Sequence, residues 1–283
     1  MPPGPSDPRT DEEWAHSNEE ALESVRASLA AVGSRVAPVM AVYDKIAASV
    51  EGLAGQLSEL TASIGVWVAK WRSTLPPNWD LDAISITNRR FFEVAQTDEI
   101  PIAWVPRSEI VAELFAAESR DSRMEIRLRN DAAVIQDCEG ILEECLQPSL
   151  DDIHRLAWAD ILAYKEGHFA AAQALGVLLA ESLILDHIRG DRAKGAYARA
   201  REEAHVDGRV LLIEFREAIA TAPIGPFFEP ISLGSGKPPP EWPNRHGAVH
   251  FPTLAQFSHA NALVVIMLVA SLAREVEKRA NSN

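Results

Sequence analysis

The sequence has little cysteine for its length. Only two of its 283 residues are cysteines, Cys138 and Cys145, and seven residues of helix would separate them by about 10 Å, which is beyond the reach of a disulfide. This scarcity excludes a disulfide-stapled miniprotein and indicates a reducing compartment. The N-terminal segment is rich in proline and acidic residues, where a signal peptide would be basic and then apolar. We therefore expect a cytoplasmic protein.

Positive charge is also scarce. The chain has 27 basic and 41 acidic residues, which gives a formal net charge of −14. A surface that coats nucleic acid is usually basic, because its affinity comes largely from displacing counterions from phosphates. The acidic excess is uneven, since residues 1–60 hold ten acidic and four basic side chains, whereas residues 234–283 hold three acidic and five basic ones. The composition excludes an RNA-coating surface but allows a small cationic site near the C-terminus.

Several common motifs are missing. The apolar run in the last predicted helix has fourteen residues, whereas a membrane span needs about 18 or more, so we expect a buried helix and no membrane contact. The chain has no glycine-rich phosphate loop, no Gly-x-Ser-x-Gly elbow, no Cys-x-x-Cys pair and no kinase motifs. The common nucleotide-dependent and serine-hydrolase classes therefore lack support.

Most of the sequence is typical of α-helix, because alanine, leucine, glutamate and arginine dominate and apolar residues recur three and four apart. We predict an all-α protein with two domains, an N-terminal helical region over 1–148 and a C-terminal four-helix bundle over 149–283. In the first region we expect a helical hairpin at 11–60 and an irregular, proline-rich connector at 75–106 with a short strand at 102–105. Further helices are predicted at 109–117, 122–146, 149–165, 168–188, 192–220 and 258–280, with a long loop at 222–243.

One segment, residues 243–261, concentrates side chains suited to acid–base chemistry. A histidine pair can supply a proton acceptor and a proton donor near neutral pH, and arginine matches phosphate oxygens. In RNA, the ribose 2′-hydroxyl can attack its own phosphate if a base removes its proton, a cation stabilises the charge and an acid protonates the 5′-oxygen. These residues favour RNA cleavage without a metal or cofactor. They are Asn244, Arg245, His246, His250, His259 and Asn261.

Arg245 and His250 form an Arg-x4-His motif that resembles the motif of the HEPN superfamily of helical bundles, many of which are metal-independent ribonucleases, toxins or defence effectors. Residues 167–184 are similar to the second helix of bacterial members, and the resemblance covers about 149–280. It departs from them at 251–252, Phe-Pro, where a glycine usually follows the last histidine. The resemblance implies an HEPN-like bundle, Arg245 and His250 as the catalytic pair, His246 assisting, and a composite site in a homodimer that acts on RNA as a toxin or antiphage effector.

Other residues are candidates for supporting roles. Glu166 and Glu181 lie among apolar residues of the central predicted helix, and a buried glutamate must be paired, so one of them could orient Arg245. A bond from Glu181 to another arginine is an equal alternative. His259 and Asn261 at the start of the last helix either border the site or cap that helix.

Three other interpretations remain open. His246 and His250 have the spacing of zinc ligands on a helix, but the glutamate of His-Glu-x-x-His is absent, and Gly247 with Pro252 disfavours a helix, so we predict no metal. Arg245 and His246 could instead bond carbonyls at a helix end. The chain could also be a non-catalytic HEPN-like module that binds RNA, a nucleotide or a protein partner, the last through its N-terminal half.

Overall fold

The computed structural model describes residues 75–80, 93–190, 192–204, 215–231 and 242–281, together with six positions before residue 70. The chain divides into two compact units, Met1–Ala69 and Lys70–Asn283, and all the described ranges lie in the second. Apart from five isolated positions, the predicted helical hairpin at 11–60 falls outside the described residues and stays a prediction. The predicted domain boundary after residue 148 falls inside the second unit and stays a prediction.

The protein is all-α, as predicted, and no strand occurs in the described ranges. A π-helical turn at Glu93–Thr97 precedes the α-helices, a 3-10 turn at Pro148–Leu150 precedes α4, and a π-helical turn at Leu183–Ile188 continues α5. The α-helices are α1 Ser108–Ala116, α2 Arg120–Arg129, α3 Asp131–Glu143, α4 Asp151–Lys165, α5 Phe169–Ser182, α6 Ala196–Ala204, α7 Phe215–Thr221, α8 Ile224–Phe227, α9 Arg245–His250 and α10 His259–Ala280.

Some predicted boundaries are wrong. The helix expected at 122–146 is divided into α2 and α3 at Asn130, whose side-chain amide donates to the Ile126 carbonyl at 2.9 Å and ends α2. The loop expected at 222–243 contains the short helix α8. Of the helix expected at 192–220, the structure describes α6 and α7 but not the residues between them.

Helix α10 forms the centre of the core. Sixteen of its 22 residues are buried, and it packs against α3, α4, α5 and α7. The Ser258 hydroxyl accepts the Asn261 backbone N–H at 3.3 Å and begins the helix. The prediction of a closing helix at 258–280 is confirmed, and its apolar character on every face explains why it is enclosed.

Helices α5 and α10 run side by side in the same direction. At their N-terminal ends the rings of Phe169 and His259 stack with centroids 4.2 Å apart. At the other end, Arg279 donates to the carbonyl of Ile188 at 3.4 Å, just beyond α5. Residues near the start of α5 therefore lie beside residues near the start of α10, and the same holds at their C-terminal ends.

Helices α3 and α4 complete the packing around α10. Asp131 at the start of α3 lies 3.2 Å from His259, and Glu144 at its end pairs with Arg274 at 2.7 Å, so α3 also runs parallel to α10. Helix α4 returns in the opposite direction to α5, through a turn in which Gly167 has a φ of +82°. Glycine adopts this left-handed conformation without strain.

The proline-rich connector is irregular, as predicted, but the strand expected at 102–105 does not form. Its backbone polar groups are instead bonded by side chains, which is how buried irregular backbone avoids unpaired groups. Asn78 accepts the Trp104 N–H at 2.9 Å and donates to the carbonyls of Ile102 and Pro106 at 3.1 and 2.7 Å. The Trp79 indole also donates to the Ile102 carbonyl at 2.7 Å.

Two polar side chains are buried between α4 and α5. Asp160 and Gln173 are almost fully enclosed, and their side-chain polar atoms make no hydrogen bond with the described residues. Burial raises the pKa of Asp160 to about 8. The carboxyl is therefore protonated at neutral pH, which avoids burying a charge.

Two segments are long and apolar enough to cross a membrane, Phe169–Ile188 and His259–Ala280. More than half of the most apolar window of the first, and most of that of the second, is buried inside the protein. Core helices also have this composition and burial, so the two segments are weak evidence for a membrane protein. The cytoplasmic location stays a prediction.

Candidate functional site

The predicted motif lies on a short helix of its own, α9. The Asn244 side chain accepts the Gly247 N–H at 2.8 Å, which begins the helix. Pro252 lies two residues after the last helical residue, His250, where it interrupts no helical hydrogen bond. The expectation that Gly247 and Pro252 disfavour a helix is therefore wrong, and His246 and His250 share one face of α9.

Buried amides fix the position of α9. Asn244 is fully buried and donates to the carbonyls of Pro226 and Glu229 at 3.0 and 2.9 Å. A Cβ atom at Gly247 would collide with the Gln256 side-chain amide, so only glycine allows this close packing. Asn244 thus holds the start of the helix that carries the motif.

Arg245 binds Glu181, the last but one residue of α5. Its Nε donates to Glu181 Oε2 at 2.8 Å, and its Nη2 donates to the Tyr197 hydroxyl at 3.0 Å. The Tyr197 hydroxyl donates in turn to Glu181 Oε1 at 2.6 Å, and the Arg245 guanidinium carbon lies 4.7 Å from the centre of the Tyr197 ring. Arg192 lies farther from Glu181, at 3.9 Å. The sequence left open whether Glu181 binds Arg245 or another arginine. In the structure, Glu181 lies closer to Arg245 than to Arg192.

His246 and His250 lie together on the other side of α9. Their ring centroids are 5.0 Å apart and the rings are nearly perpendicular. His246 Nδ1 accepts the Ile231 backbone N–H at 2.8 Å, so a neutral His246 carries its proton on Nε2. Burial, followed by the nearby His250 and Arg245, lowers the pKa of His246 and favours this neutral form. His250 is exposed.

Within one chain, α9 does not bring Arg245 and His250 side by side. Residues five apart on an α-helix differ by about 140° around its axis. Arg245 accordingly points to Glu181 on α5, whereas His250 lies with His246. The guanidinium and the exposed imidazole therefore lie on different sides of one helix.

Glu166 does not take part in this arrangement. It follows the last residue of α4 and is exposed, and its carboxylate lies 3.9 Å from His168. The prediction that it lies among the apolar residues of the central helix is wrong, because the chain turns at Gly167 before that helix begins. Only Glu181 of the two predicted carboxylates reaches Arg245.

His259 and Asn261 lie near the start of α10 and have structural partners there. His259 Nε2 lies 2.7 Å from the Tyr164 hydroxyl, and its ring stacks on Phe169. Phe169 and Glu181 are twelve residues apart on α5, about 18 Å along the axis, so His259 is remote from Arg245. Asn261 donates to the Gln256 carbonyl at 2.6 Å and so supports the segment that joins α9 to α10.

Sequence reasoning missed three participants. Tyr197 joins Arg245 and Glu181, Gln256 packs against Gly247, and the Ile231 backbone fixes the His246 tautomer. Tyr197 lies 48 residues before Arg245, and no spacing rule links residues at such a distance. A tyrosine next to several arginines was the only available signal, and it does not identify a partner.

The site offers an arginine held by a carboxylate, a neutral imidazole donor and an exposed imidazole. The guanidinium can bind an anion, and imidazoles can exchange protons near neutral pH. In the described ranges, no three histidine, cysteine, aspartate or glutamate side chains lie close enough to hold a metal ion. No protein-family model, curated protein or solved structure matches this chain. A function is therefore inferred from the chain's own residues and their geometry.

Proposed function

We propose that the protein is a metal-independent endoribonuclease of the HEPN type, active as a homodimer with RNA as its substrate. The observation that carries the proposal is the pair of histidines on one face of α9, with Arg245 at the start of the same helix. The proposed products are a 2′,3′-cyclic phosphate and a 5′-hydroxyl. The proposed setting is a toxin system or antiphage defence.

The two histidines suit different steps of this reaction. His250 is exposed, so its imidazole can accept the proton of a ribose 2′-hydroxyl and later return one to the leaving oxygen. His246 is held as the neutral tautomer with the proton on Nε2, so it can donate a hydrogen bond to a phosphate oxygen. His246 thus assists, and His250 exchanges the protons.

Arg245 would stabilise the charge on the phosphate. A guanidinium has five N–H donors, and the bonds to Glu181 and Tyr197 leave donors on Nη1. Glu181 fixes its orientation, which reduces the entropy lost when a phosphate binds. Since Arg245 and His250 of one chain are turned apart, a complete site needs His250 of the partner subunit beside Arg245.

An exposed apolar surface beside α9 supports such a dimer. One face of α5 has no charged residue over two turns and reaches the turn before Glu181. Helix α9 packs on α5 and adds further exposed apolar side chains. Exposed apolar side chains grouped on neighbouring helices are typical of a protein–protein interface. Its exposed members are Ala170, Ala171, Ala174 and Leu178 of α5, with Val249 and Leu254.

We expect the wild-type protein to cut RNA in excess chelator and His250→Ala to cut it about 10²–10⁴-fold more slowly, because the variant loses its proton acceptor. Arg245→Ala should lose a similar factor. The measurement is the rate of cleavage of total RNA and of a labelled oligonucleotide, with end-group analysis of the products. His168→Ala, which changes an exposed histidine remote from α9, is the matched control and should cut at the wild-type rate. Intact RNA at every protein concentration, or equal cutting by an Arg245→Ala/His250→Ala double variant, would disprove the proposal.

We expect Ala174→Glu to convert a dimer into a monomer, because it places a charge in the middle of the apolar face of α5. Light scattering after size-exclusion chromatography should give twice the chain mass of 31.0 kDa for wild type and that mass for the variant. RNA cleavage should fall with the dimer, because the site is composite. Ala132→Glu, at an exposed alanine of α3, is the control. A monomeric wild-type protein, or an Ala174→Glu dimer, would contradict this surface.

The second candidate is a non-catalytic HEPN-like module that binds RNA, a nucleotide or a protein partner. The bond between Arg245 and Glu181 favours it, because a guanidinium paired with a carboxylate is also a structural clamp between α9 and α5. The same cleavage assay separates the two functions. A module of this kind leaves RNA intact, and its Arg245→Ala variant loses thermal stability without any change in RNA.

A further inference from the structure

A cavity of 770 Å³ contains no residue of α9 in its lining, and the proposed catalytic function does not use it. Its lining residues come from the π-helical turn near residue 97 and from α2, α6 and α8, and Trp242 completes the wall. Pockets for small ligands have volumes of about 300–1,000 Å³. Two of its lining residues, Pro226 and Glu229, provide the carbonyls that hold Asn244 at the start of α9. Residues of the cavity wall therefore also hold the helix that carries the motif.

Two polar groups in the cavity wall have no hydrogen-bond partner among the described residues. Glu99 is 7% exposed, and its Oε2 is unpaired with respect to the described part of the chain. The indole Nε1 of Trp242 is unpaired in the same sense. Buried polar groups are nearly always hydrogen-bonded in native proteins. One enclosed acceptor and one enclosed donor in the wall thus lack the partner that native packing usually supplies.

Arg120 contacts both groups. Its guanidinium carbon lies 5.2 Å from the centre of a Trp242 ring, and its Nη2 lies 3.9 Å from Glu99 Oε2. The contact with Glu99 is too long for a hydrogen bond, so it uses none of the five donors of the guanidinium. Arg201, which also lines the cavity, is paired with Glu229 at 3.1 Å. Arg120 is therefore the cation best placed to meet an anionic group.

Burial raises the pKa of Glu99 to about 8, although Arg120 opposes this shift. At neutral pH most of the Glu99 carboxyl is therefore protonated, and it repels an incoming phosphate little. A neutral carboxyl retains its carbonyl oxygen as an acceptor. An aromatic face, one donor, one acceptor and one cation together characterise the wall.

We propose that this cavity binds a nucleobase, with Trp242 Nε1 donating to the base edge, Glu99 accepting a neighbouring N–H, and Arg120 binding a phosphate oxygen. Nucleobases are planar, and their Watson–Crick edges carry a donor next to an acceptor, which proteins read by hydrogen bonds and stacking. Phosphate acts mainly as an acceptor, so phosphate alone would leave Glu99 without an N–H donor. The proposal does not depend on whether α9 is catalytic, since a base in an RNA strand and a free nucleotide present the same edge.

The test is isothermal titration of the full chain carrying His250→Ala, so that the result does not depend on RNA cleavage. The probes are the four nucleoside 5′-monophosphates, ribose 5-phosphate and inorganic phosphate. We expect at least one nucleotide to saturate a single site and to bind at least about tenfold more tightly than ribose 5-phosphate, because each base edge forms two hydrogen bonds. Trp242→Phe keeps an aromatic ring but loses the N–H, and Glu99→Leu loses the acceptor. Each should weaken binding about tenfold, whereas Trp158→Phe on α4 should not.

Three results would overturn the proposal. They are no saturable binding of any nucleotide, equal binding of ribose 5-phosphate and nucleotides, or wild-type affinity in a folded Trp242→Phe variant. If Glu99→Leu does not fold, Trp242→Phe is sufficient to decide. A second arm titrates single-stranded RNA octamers of each base. Tighter binding of an octamer than of its mononucleotide identifies a base within an RNA strand as the ligand, and equal binding identifies the free nucleotide.

Discussion

Replacing Arg123 by methionine is expected to lower the free energy of unfolding by about 3–5 kcal/mol, because it removes one partner of a buried ion pair. The Arg123 side chain is only 1% exposed and binds Asp98, with Glu93 at 3.0 Å. It also donates to the carbonyls of Leu114 and Ala117 at 3.1 and 2.9 Å. The variant leaves Asp98 buried without its counterion and two carbonyls without their donor.

Arg129→Met is the matched control for this effect. Arg129 lies on the same helix, its side chain is 59% exposed, and it binds Glu113 at 2.5 Å. An exposed ion pair contributes about 0–1 kcal/mol, so this variant should unfold almost like wild type. Urea unfolding measures both free energies. Equal losses in the two variants, or a loss below about 1 kcal/mol for Arg123→Met, would contradict a stabilising role for the buried pair.

Gly176→Ala and Gly140→Ala are expected to change stability in opposite directions. A Cβ at Gly176 would lie 2.6 Å from Val265 Cγ1 and 2.7 Å from Asp160 Oδ2, so the three helices α4, α5 and α10 would have to move apart. Such overpacking costs about 1–3 kcal/mol. Gly140 lies within α3, and a Cβ there meets nothing within 4 Å. Its replacement should stabilise the protein by about 0.5–1 kcal/mol, because alanine favours helix.

Melting temperature and urea unfolding measure both glycine variants, and the sign of each change decides the outcome. A stabilised Gly176→Ala variant would show that α5 and α10 are less closely packed than described. A destabilised Gly140→Ala variant would show that α3 has a neighbour at that position. Each variant serves as the control for the other, since the chemical change is the same.

The helices that enclose the core could be predicted from the sequence, because their signals are local. The apolar run of α10 predicts both its position and its burial, and Ser258 marks its start. The division between α2 and α3 was missed, because Asn130 is compatible with a helix and breaks it only through its bond to Ile126. The connector had no strand because Asn78 and Trp79 satisfy its backbone from 23–28 residues away.

The candidate site was predictable in its residue types and not in its geometry. Histidine, arginine and carboxylate chemistry identified His246, His250, Arg245 and Glu181 as candidates before any coordinates. That Arg245 turns away from His250 depends on α9 being helical, and the sequence disfavoured that helix because of Gly247. Close packing of Gly247 is a property of the folded neighbours, which no local pattern reports.

The six residues of α9 have a consequence for the timing of any activity. Isolated helices shorter than about 12–15 residues are marginal in water, so α9 cannot form ahead of its surroundings. Its first turn requires Asn244, which is fixed by carbonyls 15 and 18 residues earlier, and its packing requires Gln256. A chain still emerging from the ribosome thus has the histidines without their arrangement. Activity that depends on α9 therefore requires that residues 226–256 have folded around it.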